Sequence, residues 1–246
     1  METSTLVATP VASDLTADRW RRDRLFYGGF TAGAIAVVFA GFGRTYYLGA
    51  LTNSAPLPPL VHLHAAVYSA WMVLFAVQAS LVAARRVSMH RRLGAMSVIL
   101  AIAMVAAGWV VSIDGARTGW AGPREPRDAA EALRFLAVPI GDLIVFTGFY
   151  SVALYFRRIP DTHKRLMVLA MVGGVLPPAL GRLPITAAII ATFGLLLAGP
   201  VYDRVSCGRI QHAYIWGVPI VFASLPLRFA IARTEAWRQF AQWVIS

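Results

Sequence analysis

The sequence predicts an all-α, polytopic transmembrane helical bundle of seven spans, in which three repeated hairpins follow a first helix. Three observations predict it. The chain is 58% hydrophobic and only 14% charged, with a mean hydropathy of +0.62, whereas soluble domains carry about 25% charged residues. Its apolar residues fall in runs long enough to span a hydrocarbon core about 30 Å thick. Its arginines collect in the short turns between those runs. The net charge of +11 therefore reads as membrane topology, and nucleic acid is set aside as a partner in favour of the lipid bilayer.

Residues 1–24 form a polar N-terminal segment ending in Arg19, Arg21, Arg22 and Arg24. The apolar run after it is of full spanning length and closes on Gly41-Phe42-Gly43-Arg44, with no small-residue cleavage site. It reads as a retained helix rather than a signal peptide. Spans are expected at about 25–43, 60–84, 95–113, 135–155, 166–181, 184–201 and 213–232, which makes 25–232 the transmembrane domain. The fifth and sixth are short and Pro-punctuated, which leaves five or six true crossings open. Leu57-Pro58-Pro59 leads into the second span, and Gly122-Pro123 with Pro126 breaks the loop after the third. In 233–246, Trp237, Phe240, Ala241 and Val244 recur at helical spacing opposite Arg238, Gln239 and Gln242. That pattern fits an interfacial amphipathic helix better than a solvated tail.

With the N-terminus inside, fourteen of the 23 basic residues face the cytoplasm and nine face outward. Four of the nine (Arg117, Arg124, Arg127 and Arg134) have Asp114, Glu125, Asp128 and Glu131 as neighbours. The expected orientation is N-in, C-out, and the arginine-over-lysine usage points to a bacterial cytoplasmic membrane.

The stretch Leu60–Gly94 organises the candidate chemistry. A helix from His64 to His90 is about 39 Å long, so its histidines belong to opposite faces of the membrane. Three cytoplasmic turns resemble one another: Arg85–Leu93, Arg157–Leu166 and, more loosely, Arg204–His212. Each brings a histidine (His90, His163, His212) to the point where the chain re-enters the bilayer. A helix N-terminus disfavours a positive ring, so these imidazoles are expected to be neutral and able to ligate. Basic turns of this kind also arise as topology signals and lipid-phosphate contacts, and that alternative stays open.

In the outer layer, His62 and His64 look like a chelate, but residues two apart on a helix point about 200° away from each other. From His64, steps of three and four reach Tyr68, Trp71, Phe75 and Gln78, a polar-aromatic stripe. Asp142 is the one carboxylate inside an expected span, which makes it a functional candidate by default. Arg182 and Arg228, at outer helix ends, are its candidate partners, and a plain Asp–Arg clamp is the simpler alternative. Gly173-Gly174 and Pro177-Pro178 interrupt the fifth span, so freed carbonyls facing a cavity are expected there, or a kink alone.

Several chemistries are absent from the sequence. No glycine-rich approach precedes the sole lysine, Lys164, and neither His-Glu-x-x-His nor Gly-x-Ser-x-Gly occurs. The seventh span has no lysine for a retinal Schiff base. Cys207 is the only cysteine, so no intrachain disulfide forms.

Met89-His90-Arg91-Arg92-Leu93-Gly94, followed by an apolar helix holding Gly108, is similar to the Leu-His-Ser-Trp-Leu-Gly turn of the ascorbate-reducing di-haem transmembrane cytochromes b. The likeness covers His62 to Val110. The whole chain also resembles a family of short bacterial multipass membrane proteins. The cytochrome resemblance implies haem b held between helices near each membrane face, with quinone or a small reductant as partner. Carried onto this chain, it makes His90, His163 and His212 the candidate inner haem-binding residues, with His90 and His163 on the iron, while His62 and His64 lack a histidine partner at the outer face. Two readings follow: a haem-b electron-transfer module, or a transporter or sensor with a polar pocket at His64 and Asp142 and no haem.

Overall fold

The structure, a computed structural model, describes residues 10–49, 57–119 and 128–246, and no strand occurs among them. The loop residues Gly122, Pro123, Arg124, Glu125 and Pro126 lie outside this set. The chain runs through α1 (Pro10–Phe42) with a π-helical end at Gly43–Tyr47, α2 (Pro59–Ala83), α3 (Val87–Thr118), α4 (Ala129–Phe135) and α5 (Ala137–Tyr155). It continues through α6 (Pro160–Ala170), a π-helical segment Met171–Val175, α7 (Pro177–Leu180), α8 (Ile185–Cys207), α9 (His212–Ile231) and α10 (Glu235–Ile245).

The punctuation follows from the sequence. Pro59 and Pro160 open α2 and α6, where a missing N–H is harmless and the fixed φ is already helical. Gly119 and Gly208 close α3 and α8 with φ of 66° and 71°, the left-handed conformation glycine adopts freely. Asp128 caps α4 by accepting from Glu131 N (2.6 Å), and Thr234 caps α10 by accepting from Trp237 N (3.2 Å). After α2, the left-handed position falls instead to Arg85, with φ of 59°, at a cost of roughly 1–2 kcal/mol.

Among the described residues, six helices are long and apolar enough to cross a membrane: Asp18–Tyr47, Pro59–Ala83, Val87–Thr118, Ala129–Tyr155, Ile185–Cys207 and His212–Ile231. They are compatible with an integral membrane protein. Their outward faces carry Ile99, Ile102, Ile144, Ile185, Ile190, Leu197, Val201 and Phe222, all exposed. An apolar belt of this extent is foreign to a soluble monomer and suited to lipid.

The expected fifth span has a different form. It is the chain of α6, the π segment and α7, and it is the buried centre around which the long helices pack. Pro177 and Pro178 offer no N–H, and Leu176 N reaches back five residues to Met171 O (2.9 Å), widening the turn to π. The two glycines then serve close approach. A Cβ on Gly174 would collide with the Phe146 backbone, and one on Gly173 with Val145 and Val221. The expected cavity lined by freed carbonyls is therefore absent at these glycines, because α5 and α9 fill that space.

Contacts fix which ends lie together. At the end bearing the basic turns, α1 meets α6 through Arg19–Asp161 (3.0 Å) and Lys164–Asp23 (2.8 Å), and meets α8 through Tyr202 Oη donating to Asp23 (2.5 Å). At the far end of α3, α10 is held against α3 and α4. Trp237 Nε1 donates to Leu133 O (2.9 Å), Arg117 Nε donates to Ile245 O (2.7 Å), and Ala241 is fully buried.

Candidate functional site

The stripe on α2 does face the bundle interior, and it strings three sites along the molecule. The outermost is built on Asp142 and Arg228, both buried, with Arg228 Nη1 2.5 Å from Asp142 Oδ1. Gly141 makes this possible, since the Arg228 stem lies flat across it where any Cβ would collide. Arg228 also lies 3.4 Å from Ser224 Oγ, and its Nε has no partner. Tyr68 sits beside this pair and couples electrostatically to Asp142. His64 stacks on Tyr68 with ring centroids 4.2 Å apart. The Ala107 backbone is the hydrogen-bond neighbour of the His64 ring, and its Nδ1 is buried without a partner. Two unpaired buried polar atoms therefore flank one neutralised ion pair.

Arg228 is the arginine that reaches Asp142. Arg182 instead donates to Pro178 O (2.7 Å) and lies 4.3 Å over the Phe42 ring. His62 is exposed, with Nδ1 3.3 Å from Tyr46 Oη.

The middle of the stripe is aromatic. Trp71, 2% exposed, donates to Met171 Sδ (3.3 Å) in the π segment and meets Phe146 and Tyr150 edge-on. Tyr150 Oη in turn lies 2.8 Å from Ser97 Oγ.

The innermost site joins Gln78, His90 and His163. The two imidazole centroids are 6.4 Å apart and their planes stand at 76°. His163 Nδ1 lies 2.8 Å from Ala153 O, which only accepts, so this nitrogen is the donor and Nε2 carries the lone pair. Gln78 is oriented by its neighbours: its carbonyl accepts from Gly94 N (2.9 Å) and its amide donates to His90 Nδ1 (2.6 Å). In this orientation of Gln78 the His90 proton sits on Nε2. His212 is exposed in the first turn of α9, outside this pair.

That geometry tests the haem expectation. Two axial imidazoles on one iron must present lone pairs about 4 Å apart, each with Nδ1–H held by an acceptor. The ring spacing is of the right size and His163 has the right tautomer. The Gln78 amide facing His90 Nδ1 can turn to accept instead of donate, so either ring tautomer is open to His90. Among the described residues, no group of three or more His, Cys, Asp or Glu converges as a metal site.

A further polar cluster went unread in the sequence. Arg165 and Asp203, both 0% exposed, are joined by Arg165 Nε at 3.0 and 2.9 Å and by Nη2 at 2.5 Å. Arg165 Nη1 also donates to Asp161 O, and Gln211 N donates to Asp203 Oδ2 (3.1 Å). One ion pair thus ties α6 and α8 to the start of α9. Around it stand Asp23, Asp161, Lys164 and Tyr202, with the buried hydroxyls of Tyr27 and Tyr214 as neighbours of each other. The cluster went unread because α8 continues as a helix to Cys207, past the expected limit near 201, and carries Asp203 inward.

Asp161 gives this cluster a pH signature. Partial burial acts to raise its pKa, but Lys164, Arg19 and Arg165 outweigh it and hold the carboxyl at about 2. A depressed pKa stabilises the fold above the unfolded value near 4, and this contribution is lost as pH falls toward 2. Asp161 is half-exposed, so the effect is at most about 1 kcal/mol after screening. Melting curves of wild type and Asp161→Asn should differ at pH 6 and converge by about pH 2.

No protein-family model, curated protein or solved structure matches the chain. The class it defines is therefore drawn from fold and site: an all-helical protein with membrane-compatible helices around a broken central one, carrying buried charge pairs.

Proposed function

We propose that this chain is a seven-crossing integral protein of the bacterial cytoplasmic membrane, N-terminus inside and C-terminus outside, in which three hairpins follow α1. The crossing added to the six long helices is the broken one, α6 to α7, fifth in chain order. Its apolar stretch, 166–181, covers about 24 Å at helical rise, close to a hydrocarbon core about 30 Å thick, with the charged first turn of α6 at the cytoplasmic interface. Parity supports it. The contacts of α10 with α4 and the far end of α3 require an even number of crossings between α3 and α10. Reporter fusions at 86, 160 and 206 should read cytoplasmic, and one at 240 external. A cytoplasmic signal at 240 would remove the broken crossing.

Within that frame the protein acts as a proton-coupled transporter, with its pocket at His64, Tyr68, Asp142 and Arg228. The observation that carries this reading is the Asp142–Arg228 pair. It lies one helical turn beyond the π segment, flanked by the unpaired His64 Nδ1 and Arg228 Nε. Ionisable residues inside a membrane bundle mark proton and solute paths, and discontinuous helices mark the binding regions of secondary transporters. In this reading Asp142 carries the exchangeable proton, Arg228 holds the carboxylate between cycles, and His64 offers the ring nitrogen for a polar solute. Proteoliposomes loaded with a pH-sensitive dye and given an inside-negative potential test it. Wild-type vesicles should acidify faster than empty ones, and Asp142→Asn should abolish the difference. Equal rates in all three would leave a sensor.

The haem-b reading keeps two supporting observations, the ring spacing of His90 and His163 and the contact of His163 Nδ1 with Ala153 O. A Soret band in freshly purified protein that disappears in His163→Ala would replace the pocket reading with it. Without that band, quinone and small reductants lose their reason to bind.

A further inference from the structure

The two buried arginines are paired in different ways. A guanidinium presents its N–H donors along two edges that each match a carboxylate: Nη1 with Nη2, and Nε with the Nη beside it. On Arg165 the Nε–Nη2 edge is filled, with Nε 3.0 and 2.9 Å and Nη2 2.5 Å from the Asp203 oxygens. On Arg228 that edge is left over. Asp142 takes only Nη1 (2.5 Å), Nε has no partner, and Nη2 has Ser224 Oγ at 3.4 Å, too far for a strong bond. Arg228 is 6% exposed, and a buried donor without an acceptor is costly to keep. A ligand that brings two acceptor oxygens to this edge removes the cost. The approach to it runs through α9, where Pro226 supplies no N–H to Phe222 O two residues before Arg228 and so weakens the helix at that point.

We propose that the outer pocket takes a small monocarboxylate, bound side-on to Nε and Nη2 of Arg228 while Asp142 takes up a proton. The proposal rests on the pocket reading of Asp142 and Arg228 and names its solute. The charge count requires the proton. Among the described residues, the ionisable groups around Asp142 are Arg228 on α9 and Tyr68 on α2, with His64 stacked on Tyr68 and Arg182 beyond it. A second carboxylate on the Arg228 guanidinium would leave one buried negative charge uncompensated. A proton from the outer solution on Asp142 removes that charge, and the carbonyl oxygen of the protonated group still accepts from Nη1. One proton and one carboxylate thus enter together with no net charge. One edge admits one carboxylate, which is why the solute is a monocarboxylate.

The test is the melting temperature and the proton balance of the detergent-purified full chain with sodium propionate, propionamide or sodium chloride. Propionate at about ten times its dissociation constant should raise the midpoint by about 3–6 °C, and the neutral amide and chloride should not. Calorimetric titration in buffers of different ionisation enthalpy should show about one proton taken up per propionate bound. Arg228→Lys keeps the charge without the fork and should lose most of the rise. Asp142→Asn stands in for the protonated carboxyl, so it should bind propionate at least as tightly as wild type and take up no proton. The proposal is overturned if propionate gives no rise, if the amide or chloride gives an equal one, if Arg228→Lys keeps it, or if proton uptake persists in Asp142→Asn. Should Arg228→Lys fail to fold, Asp142→Asn decides alone. The pocket reading fails separately. Vesicles that acidify no faster than empty ones, around a protein that binds propionate with its proton, would keep this site and make the protein a sensor. Vesicles that acidify while propionate leaves the protein unchanged would keep the transporter and overturn the solute.

Discussion

Asp203→Ala should unfold more readily than wild type by up to about 3–5 kcal/mol, because it leaves a buried guanidinium with only the half-exposed Asp161, 3.4 Å from Nη1, as counter-ion. Arg165 and Asp203 are both fully buried, and three nitrogen–oxygen contacts of 2.5–3.0 Å join them. Removing the carboxylate takes the acceptor from Arg165 Nε and Nη2 and also from Gln211 N, where α9 begins. A negative charge at that position favours the helix start, so two effects of one sign add. Arg165→Ala should cost a similar amount, since a lone buried carboxylate is as poorly accommodated as a lone guanidinium. The double variant Arg165→Met with Asp203→Leu separates ion pairing from packing. Well-packed apolar replacements of a buried pair are often neutral, so the double variant should recover most of the loss. Unfolding in detergent, followed by intrinsic fluorescence, reads all four proteins. A double variant as unstable as the singles would mean that the hydrogen bonds to Asp161 O and Gln211 N matter more than the charges.

The sequence was informative where hydropathy and spacing decide the outcome. The long apolar helices follow from composition, and the inward stripe His64, Tyr68, Trp71 and Gln78 follows from the helical period alone. The amphipathic pattern of 233–246 likewise appears as α10, with Ala241 buried and Trp243 exposed. Helix ends were less legible. A helix continues past its apolar stretch whenever its polar turns find water or partners, so α3 starts at Val87 rather than near 95 and α8 runs on to Cys207. That difference hid Asp203, which looked like a turn residue and is an interior one. Pair identities were beyond reach for a further reason. Arg182 and Arg228 are equivalent by depth, and only the close approach permitted by Gly141 selects Arg228. Spacing also brought His90 and His163 together but could not fix their tautomers, which depend on Gln78 and Ala153 O, contacts distant in sequence.

The second large effect is expected at Asp142, where the size and order of two substitutions distinguish a held ion pair from a polar residue of no consequence. Asp142→Ala strands Arg228 in the outer half of the bundle. Arg228 is 6% exposed, its Nε is already unpartnered, and its stem is packed across Gly141. The guanidinium has no room to swing toward the headgroups without losing that packing, so the loss should be about 3–5 kcal/mol. Asp142→Asn keeps the volume and leaves one carbonyl oxygen to accept from Arg228 Nη1. It forfeits the charge but not the hydrogen bond, and a retained hydrogen bond to a charged donor is worth about 1.5–3 kcal/mol. Asp142→Asn should therefore lie between wild type and Asp142→Ala in melting temperature. Gly141→Ala supplies an independent check. Its added methyl would push the Arg228 stem away and weaken the pair without touching either charge, so it too should destabilise. Its effect should be small in an Asp142→Ala background, where no pair remains to weaken. Additive losses in that double variant would show that the arginine approaches Gly141 for packing alone, and the outer site would then lose its claim to be a pocket.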